Sequence, residues 1–203
     1  GFSEESTLKI LIFLLEGILP AGYFDSTLRG LSVDMTVMRM LLKQRLPLVA
    51  SHLHNLRKKS GEGYEPPLEN VFSMQWFLTL FATCLPKKCV FRILDAIMLE
   101  GSETILKTSL VIWTKLSEKI LHTKTANEFY SMMDIQCEGI MQMRSVEINS
   151  FIHAIYSLTD LYALPIAQLR ENVAWNIQPF SQSMFLLWQQ KRKGFHLTEL
   201  MKK

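Results

Sequence analysis

Cysteine is scarce in this sequence: Cys84, Cys89 and Cys137 are the three among 203 residues. An odd count argues against a disulfide framework, and no pair has the spacing of a metal clip. A reducing compartment is the simplest reading. Cys84 and Cys89 flank Pro86 and are expected to be core packing. Charge of one sign is nearly cancelled by the other. With 22 basic and 19 acidic residues the net charge is +3, too small to call for a nucleic-acid partner. Long hydrophobic runs are missing too. The apolar run over 10–15 lies between Lys9 and Glu16, far short of the roughly 20 residues that cross a bilayer, so no transmembrane segment is expected. Glu4 and Glu5 precede the run and no small-residue cleavage site follows, so this run is not expected to be a signal peptide. The sequence opens Gly-Phe without an initiator methionine, as a fragment or a processed chain would.

Catalytic motifs are equally thin. There is no Gly-rich phosphate loop of the Walker or Rossmann type and no Gly-x-Ser-x-Gly nucleophile elbow. His52 and His54 stand two apart, so they point to different sides of a helix. They lack the i, i+4 spacing and intervening Glu of a zinc protease. The 11 methionines fall at helical spacing and are expected as core filler. No cofactor and no metal is expected. Strand-like alternation of useful length and internal repeats are both absent, which leaves an all-α fold of about ten helices.

What is there supports one globular domain with a sizeable core, at 48% hydrophobic and 20% charged residues. A first helix is expected over 3–19, capped by Ser3, and a second from Asp34, a good N-cap, to about Arg45. Pro47 restarts a helix ending near Lys59, and the Gly- and Pro-rich stretch 60–67 reads as an exposed loop. The centre of the organisation is 73–101. Its first half, through Leu85, reads as a helix apolar almost all round, including Trp76, Phe77 and Phe81. One polar stripe remains on it: Gln75, Thr79 and Thr83, spaced i, i+4, i+8. Pro86 stops that helix and opens another in which Val90, Ile93, Leu94 and Ile97 follow the core pattern, with Gly101 as a left-handed cap. Further helices are expected over 102–122, with Lys107, Lys115, Glu118 and Lys119 on a solvated face, and from Asn127 through Ile140. Three more follow: 145–162 with Tyr156 inward, then a segment holding Ile166 to Trp175, then 181–193. The basic end, Lys191 to Lys193 with Lys202 and Lys203, is either a solvated helix terminus or a peripheral contact with an anionic membrane surface.

The run Trp76-Phe77-Leu78-Thr79-Leu80-Phe81, then Leu85-Pro86, Arg92-Ile93, Asp95 and Leu99-Glu100-Gly101 resembles the second half of a TBC domain, the all-helical module of Rab GTPase-activating proteins. Upstream, Leu19-Pro20-Ala21-Gly22-Tyr23-Phe24, Leu31, Asp34, Val37, Leu41-Leu42, Leu46-Pro47, His52 and Leu53 match the same pattern in order. The resemblance covers about residues 1–125 and continues more loosely beyond. Leu94 departs from it, since the family usually carries a tryptophan there. On this basis 1–165 is expected to be the C-terminal part of a TBC domain and 166–203 a helical extension.

The resemblance implies a Rab-type small GTPase as partner, membrane trafficking as setting and a cytoplasmic location, peripheral to membranes at most. It also implies a two-finger chemistry, an arginine from Ile-x-x-Asp-x-x-Arg and a glutamine from Tyr-x-Gln. Neither motif occurs in this sequence. In the family both lie N-terminal to the stretch that corresponds to Gly1, so no catalytic residue is assigned and the chain is expected to be a GTPase regulator, not an enzyme. Trp76, Phe77, Phe81 and Asp95 are expected as the structural core of the motif. Arg92 and Asp95, at i, i+3, are expected to pair with each other or with a neighbour, with a direct contact of Arg92 with the GTPase as the alternative. Gln75 and Thr79 either line the partner groove or contact the other half of the domain. A non-catalytic Rab-binding adaptor, or a helical scaffold, remains the alternative.

Overall fold

The computed structural model describes residues 3–60, 68–158 and 166–175. Among these there are nine α-helices, one π-helical turn and no strand. Helix α1, Glu4–Ile12, is capped as expected: Ser3 Oγ accepts from the Ser6 amide, and Glu4 and Glu5 occupy the positive end. The expected continuation to 19 is instead a π-helical turn, Phe13–Ile18, closed by the Leu19 amide on the Leu14 carbonyl at 3.0 Å.

Helix α2, Arg29–Arg45, begins five residues earlier than Asp34. Leu28 takes a left-handed φ of 51° and lets the chain turn directly into the helix. Gly30 then donates to the Gly22 carbonyl at 3.0 Å. A Cβ on Gly30 would sit 2.8 Å from the Ala21 carbonyl oxygen, so only glycine allows the preceding loop to lie against the helix start. Asp34 is therefore not a cap; it lies inside α2, fully buried. Helix α3, Pro47–Lys59, follows the expected bounds, with proline in its first turn.

Helix α4, Leu68–Leu78, ends seven residues short of the expected Leu85. Leu80 and Phe81 turn left-handed, at φ 44° and 66°. Such residues cost about 1–3 kcal/mol each. The turn places Phe81 in the core against Phe77, ring centroids 6.4 Å apart, and its amide on the Trp76 carbonyl at 2.8 Å. Helix α5, Lys87–Glu100, starts after Pro86 and ends at Gly101, whose φ of 92° falls in the range that favours glycine but whose ψ of −179° is extended in place of the expected left-handed cap.

Helix α6, Glu103–His122, is the hub, touching α2, α3, α4 and α5 as well as the two helices that follow. Every residue from Thr104 to Trp113 is buried. That includes Lys107, 2% exposed where a solvated position was expected; its Nζ reaches Glu100 Oε2 at 3.4 Å, which gives the buried cation a partner. Helix α7, Ala126–Met141, is capped by Thr125 and not Asn127. Helix α8, Ser145–Tyr156, leaves Tyr156 half exposed where an inward position was expected. Helix α9, Ile166–Ala174, within the expected C-terminal helical extension, packs on α2 and buries Ile166. Helix α8 starts at Ser145 as expected but stops at Tyr156, with Ser157 as its C-cap, short of the expected 162; the helix over 181–193 with the basic tail lies outside the described residues.

The core between α4, α6 and α7 is aromatic. Trp76 and Trp113 are 5.7 Å apart, Phe129 stacks on Trp113, and Phe72 meets Phe129 edge-on. Trp113 Nε1 is satisfied by Ser73 Oγ at 3.0 Å, both buried.

Candidate functional site

The polar stripe survives the early end of α4 as a ladder in place of a helix face. Thr79 Oγ1 donates to the Gln75 carbonyl at 2.8 Å and lies 3.0 Å from Thr83 Oγ1, to which Gln75 Nε2 donates at 3.3 Å. Gln75 and Thr79 are half-buried, and Thr83 is exposed. Trp76, Phe77 and Phe81, on either side of the ladder, are buried.

Arg92 and Asp95 do not join it. The buried face of α5 is Cys89, Val90, Ile93, Ala96 and Ile97, which leaves positions 92 and 95 outward. Arg92 Nη1 donates to Asn149 Oδ1 of α8 at 2.5 Å, so of the two expected kinds of partner it takes a neighbour and not Asp95. Asp95 is exposed and has no ion-pair partner among the described residues, so it is not part of the structural core. The reason is the neighbouring helix: α8 packs beside α5 and offers the guanidinium an amide oxygen.

A second polar constellation has no counterpart in the sequence reading. Arg170 of α9 forks onto Asp34 of α2, Nε to Oδ1 at 2.7 Å and Nη2 to Oδ2 at 3.0 Å, while Nη1 donates to Ser102 Oγ at 2.9 Å. Burial pushes the Asp34 carboxyl up from its ordinary range, and Arg170 pulls it part of the way back. Tyr23, buried nearby, has its phenol pushed well above its ordinary value, first by burial and then by the Asp34 charge. The available sequence signal is an acid among the apolar positions Leu31, Val33, Met35, Val37 and Met38, which once buried needs a cation; nothing local names a residue 136 positions away.

The thiols of Cys84 and Cys89 are chemically quiet. Burial pushes Cys84 upward and Cys89 up to about 11, so both stay protonated near neutrality. Among the described residues no group of acids, histidines and cysteines is arranged to hold a metal, and no helix is long and apolar enough to cross a membrane. Helix α1 buries no residue at all: Leu8, Leu11 and Ile12 are 44–56% exposed, and Phe13 and Leu15 in the next turn are exposed as well.

Among the described residues the architecture is that of an all-helical module whose aromatic core joins Trp76 of α4 to Trp113 of α6, with a first helix that buries no side chain. Its sequence matches the model of the Rab-GTPase-TBC domain over residues 2–121, and the chain belongs to that family. It is 47% identical over 182 residues to TBC1 domain family member 30 of Homo sapiens, covering 88% of this chain and 20% of that protein. The Xenopus tropicalis protein of the same name is 44% identical over 182 residues, 88% of this chain and 20% of that protein. TBC1 domain family member 2A of Rattus norvegicus is 29% identical over 168 residues, 83% of this chain and 16% of that protein. The chain thus spans about a fifth or less of the length of these curated relatives.

Proposed function

We propose that this chain supplies the supporting and docking half of a domain that stimulates GTP hydrolysis by a Rab-type small GTPase, without the catalytic fingers. The observation that carries this reading is a TBC-family sequence in which neither finger motif occurs. The exposed apolar side chains of α1 agree with it, because they are the surface that another part of such a domain would cover. In this reading Gln75, Thr79 and Arg92 contribute partner contacts, and the protein works in the cytoplasm, peripheral to membranes, in membrane trafficking.

The test is single-turnover GTP hydrolysis over a panel of Rab proteins, with this chain and with a completed domain that carries both motifs. The chain alone leaves the intrinsic rate unchanged. The completed domain accelerates it by about a thousandfold to a hundred-thousandfold, which is what an arginine finger is worth. Binding by the completed domain without acceleration identifies a non-catalytic adaptor instead. Strong stimulation by the chain alone, lost on changing Arg39, Arg45, Arg57 or Arg92, overturns the proposal.

A further inference from the structure

We propose that the cleft between α2 and α3 is a binding site for a multiply phosphorylated polyol, of the kind found free in solution or as a lipid headgroup. The cleft has a volume of about 670 Å³, within the range of small-molecule sites, roughly 300–1,000 Å³. Thr36, Arg39 and Lys43 line it from α2, His54 and Arg57 from α3, and Glu69 from α4. Three permanent cations therefore face one carboxylate.

These cations are not neutralised by their surroundings. Arg39 and Lys43 stand i, i+4 on one helix face, a spacing at which like charges repel. The side chains of Lys43 and Arg57 are exposed and make neither an ion pair nor a hydrogen bond among the described residues. Arg39 makes one hydrogen bond, from Nη2 to Thr36 Oγ1 at 3.0 Å, and Thr36 is itself fixed by donating to the Ser32 carbonyl at 3.1 Å. Arg39 Nε is buried and donates to nothing among the described residues. A buried donor without an acceptor is unfavourable, and an anion seated beside Arg39 supplies the acceptor.

The geometry favours phosphate over carboxylate. Two guanidinium forks and an ammonium match the several oxygens of phosphate monoesters. A compact polyanion meets all three cations from within one cleft of this size, whereas an acidic peptide spreads its carboxylates along an extended strand or helix. The apolar lining from Met40, Ala50 and Leu53 suits the carbon ring of a polyol.

The test uses the full-length protein. Inositol trisphosphate is titrated by calorimetry, and sedimentation is measured with phosphatidylcholine vesicles containing phosphatidylinositol bisphosphate or charge-matched phosphatidylserine. The variant Lys43→Gln/Arg57→Gln changes two cleft cations, both exposed, so folding is spared; Arg39→Gln is the third probe. Lys88→Gln/Lys115→Gln removes the same charge from α5 and α6. Expected is saturable binding of the trisphosphate, weakened at least about tenfold by the cleft variant and left unchanged by the control. Preference for bisphosphate over phosphatidylserine vesicles then assigns a lipid source; trisphosphate binding without vesicle binding assigns a free one. No trisphosphate binding, equal loss in the control variant, or binding of an acidic peptide in place of any phosphorylated compound overturns the proposal.

Discussion

Asp34 has no exposed surface, yet it sits in the middle of a helix rather than at its end, held by two nitrogens of one guanidinium. Removing one member of such a pair strands the other, at a cost of about 3–5 kcal/mol. Arg170→Met is therefore strongly destabilising, and Asp34→Leu/Arg170→Met recovers much of the loss, as denaturant titration will show. The pH dependence has a definite sign. Without Arg170 the carboxyl loses the influence that lowers its pKa, and burial drives it further up. A folded pKa above the unfolded one means that the folded state holds the proton longer, so stability is retained at low pH and lost as pH rises through the folded value. Arg170→Met is thus less destabilised at about pH 5 than at about pH 8, and the double variant shows no such dependence from this site. Elsewhere the core is ordinary in kind. Trp76 packs on Trp113 and Phe72 with almost no exposed surface, so Trp76→Ala costs roughly 3–5 kcal/mol. Thr79→Ala removes only ladder hydrogen bonds at a half-open site and stays within about 1 kcal/mol of the parent. Equal thermal shifts for the two would contradict this placement.

At the scale of elements, helix existence was legible and helix ends were not. Pro47, Pro86 and Gly101 marked boundaries that hold, because each acts through its own backbone. The ends that moved were set by distant contacts. Helix α4 stops at Leu78 because the core takes Phe81 through a left-handed turn, and bulky Leu80 and Phe81 give no local warning of positive φ. Helix α2 starts at Arg29 because Gly30 accepts the loop from 19–28 against its backbone. Read as helix propensity, replacing a helical glycine with alanine gains up to about 1 kcal/mol. Gly139→Ala in α7 has open space around the new Cβ and is expected to show that gain. Gly30→Ala places Cβ within 3.0 Å of two backbone atoms that cannot swing aside, at 2.8 Å and 3.0 Å. Overpacking of about 1–3 kcal/mol outweighs propensity there, and the variant melts below the parent. Opposite shifts of the two melting temperatures are the expected result.

On the scale of the whole molecule, the family and the all-helical class followed from ordered motif positions and from periodicity, since both are written along the chain. Side-chain assembly was less accessible. Nothing in the local sequence told that Arg92 would reach Asn149, that Arg170 would reach Asp34, or that Arg39, Lys43 and Arg57 would share a cleft. One whole-molecule feature is the face that Leu8, Leu11 and Ile12 of α1 leave uncovered among the described residues, continued by Phe13 and Leu15 in the next turn. Its exposed members pack against little within the chain, so they contribute little to its stability. Leu8→Gln/Leu11→Gln is expected to unfold within about 0.5 kcal/mol of the parent, while binding less of an apolar dye and associating less with itself. Leu14 lies in the adjoining π-helical turn but is buried, and Leu14→Gln puts an amide without partners into the core at a cost of about 1–3 kcal/mol or more. Both variants replace leucine with glutamine in the same segment, so composition is held constant and burial alone differs. If the pair on α1 proved as destabilising as Leu14→Gln, with dye binding unchanged, then that face is already covered in the folded chain. It would then be unavailable to the rest of a GTPase-activating domain.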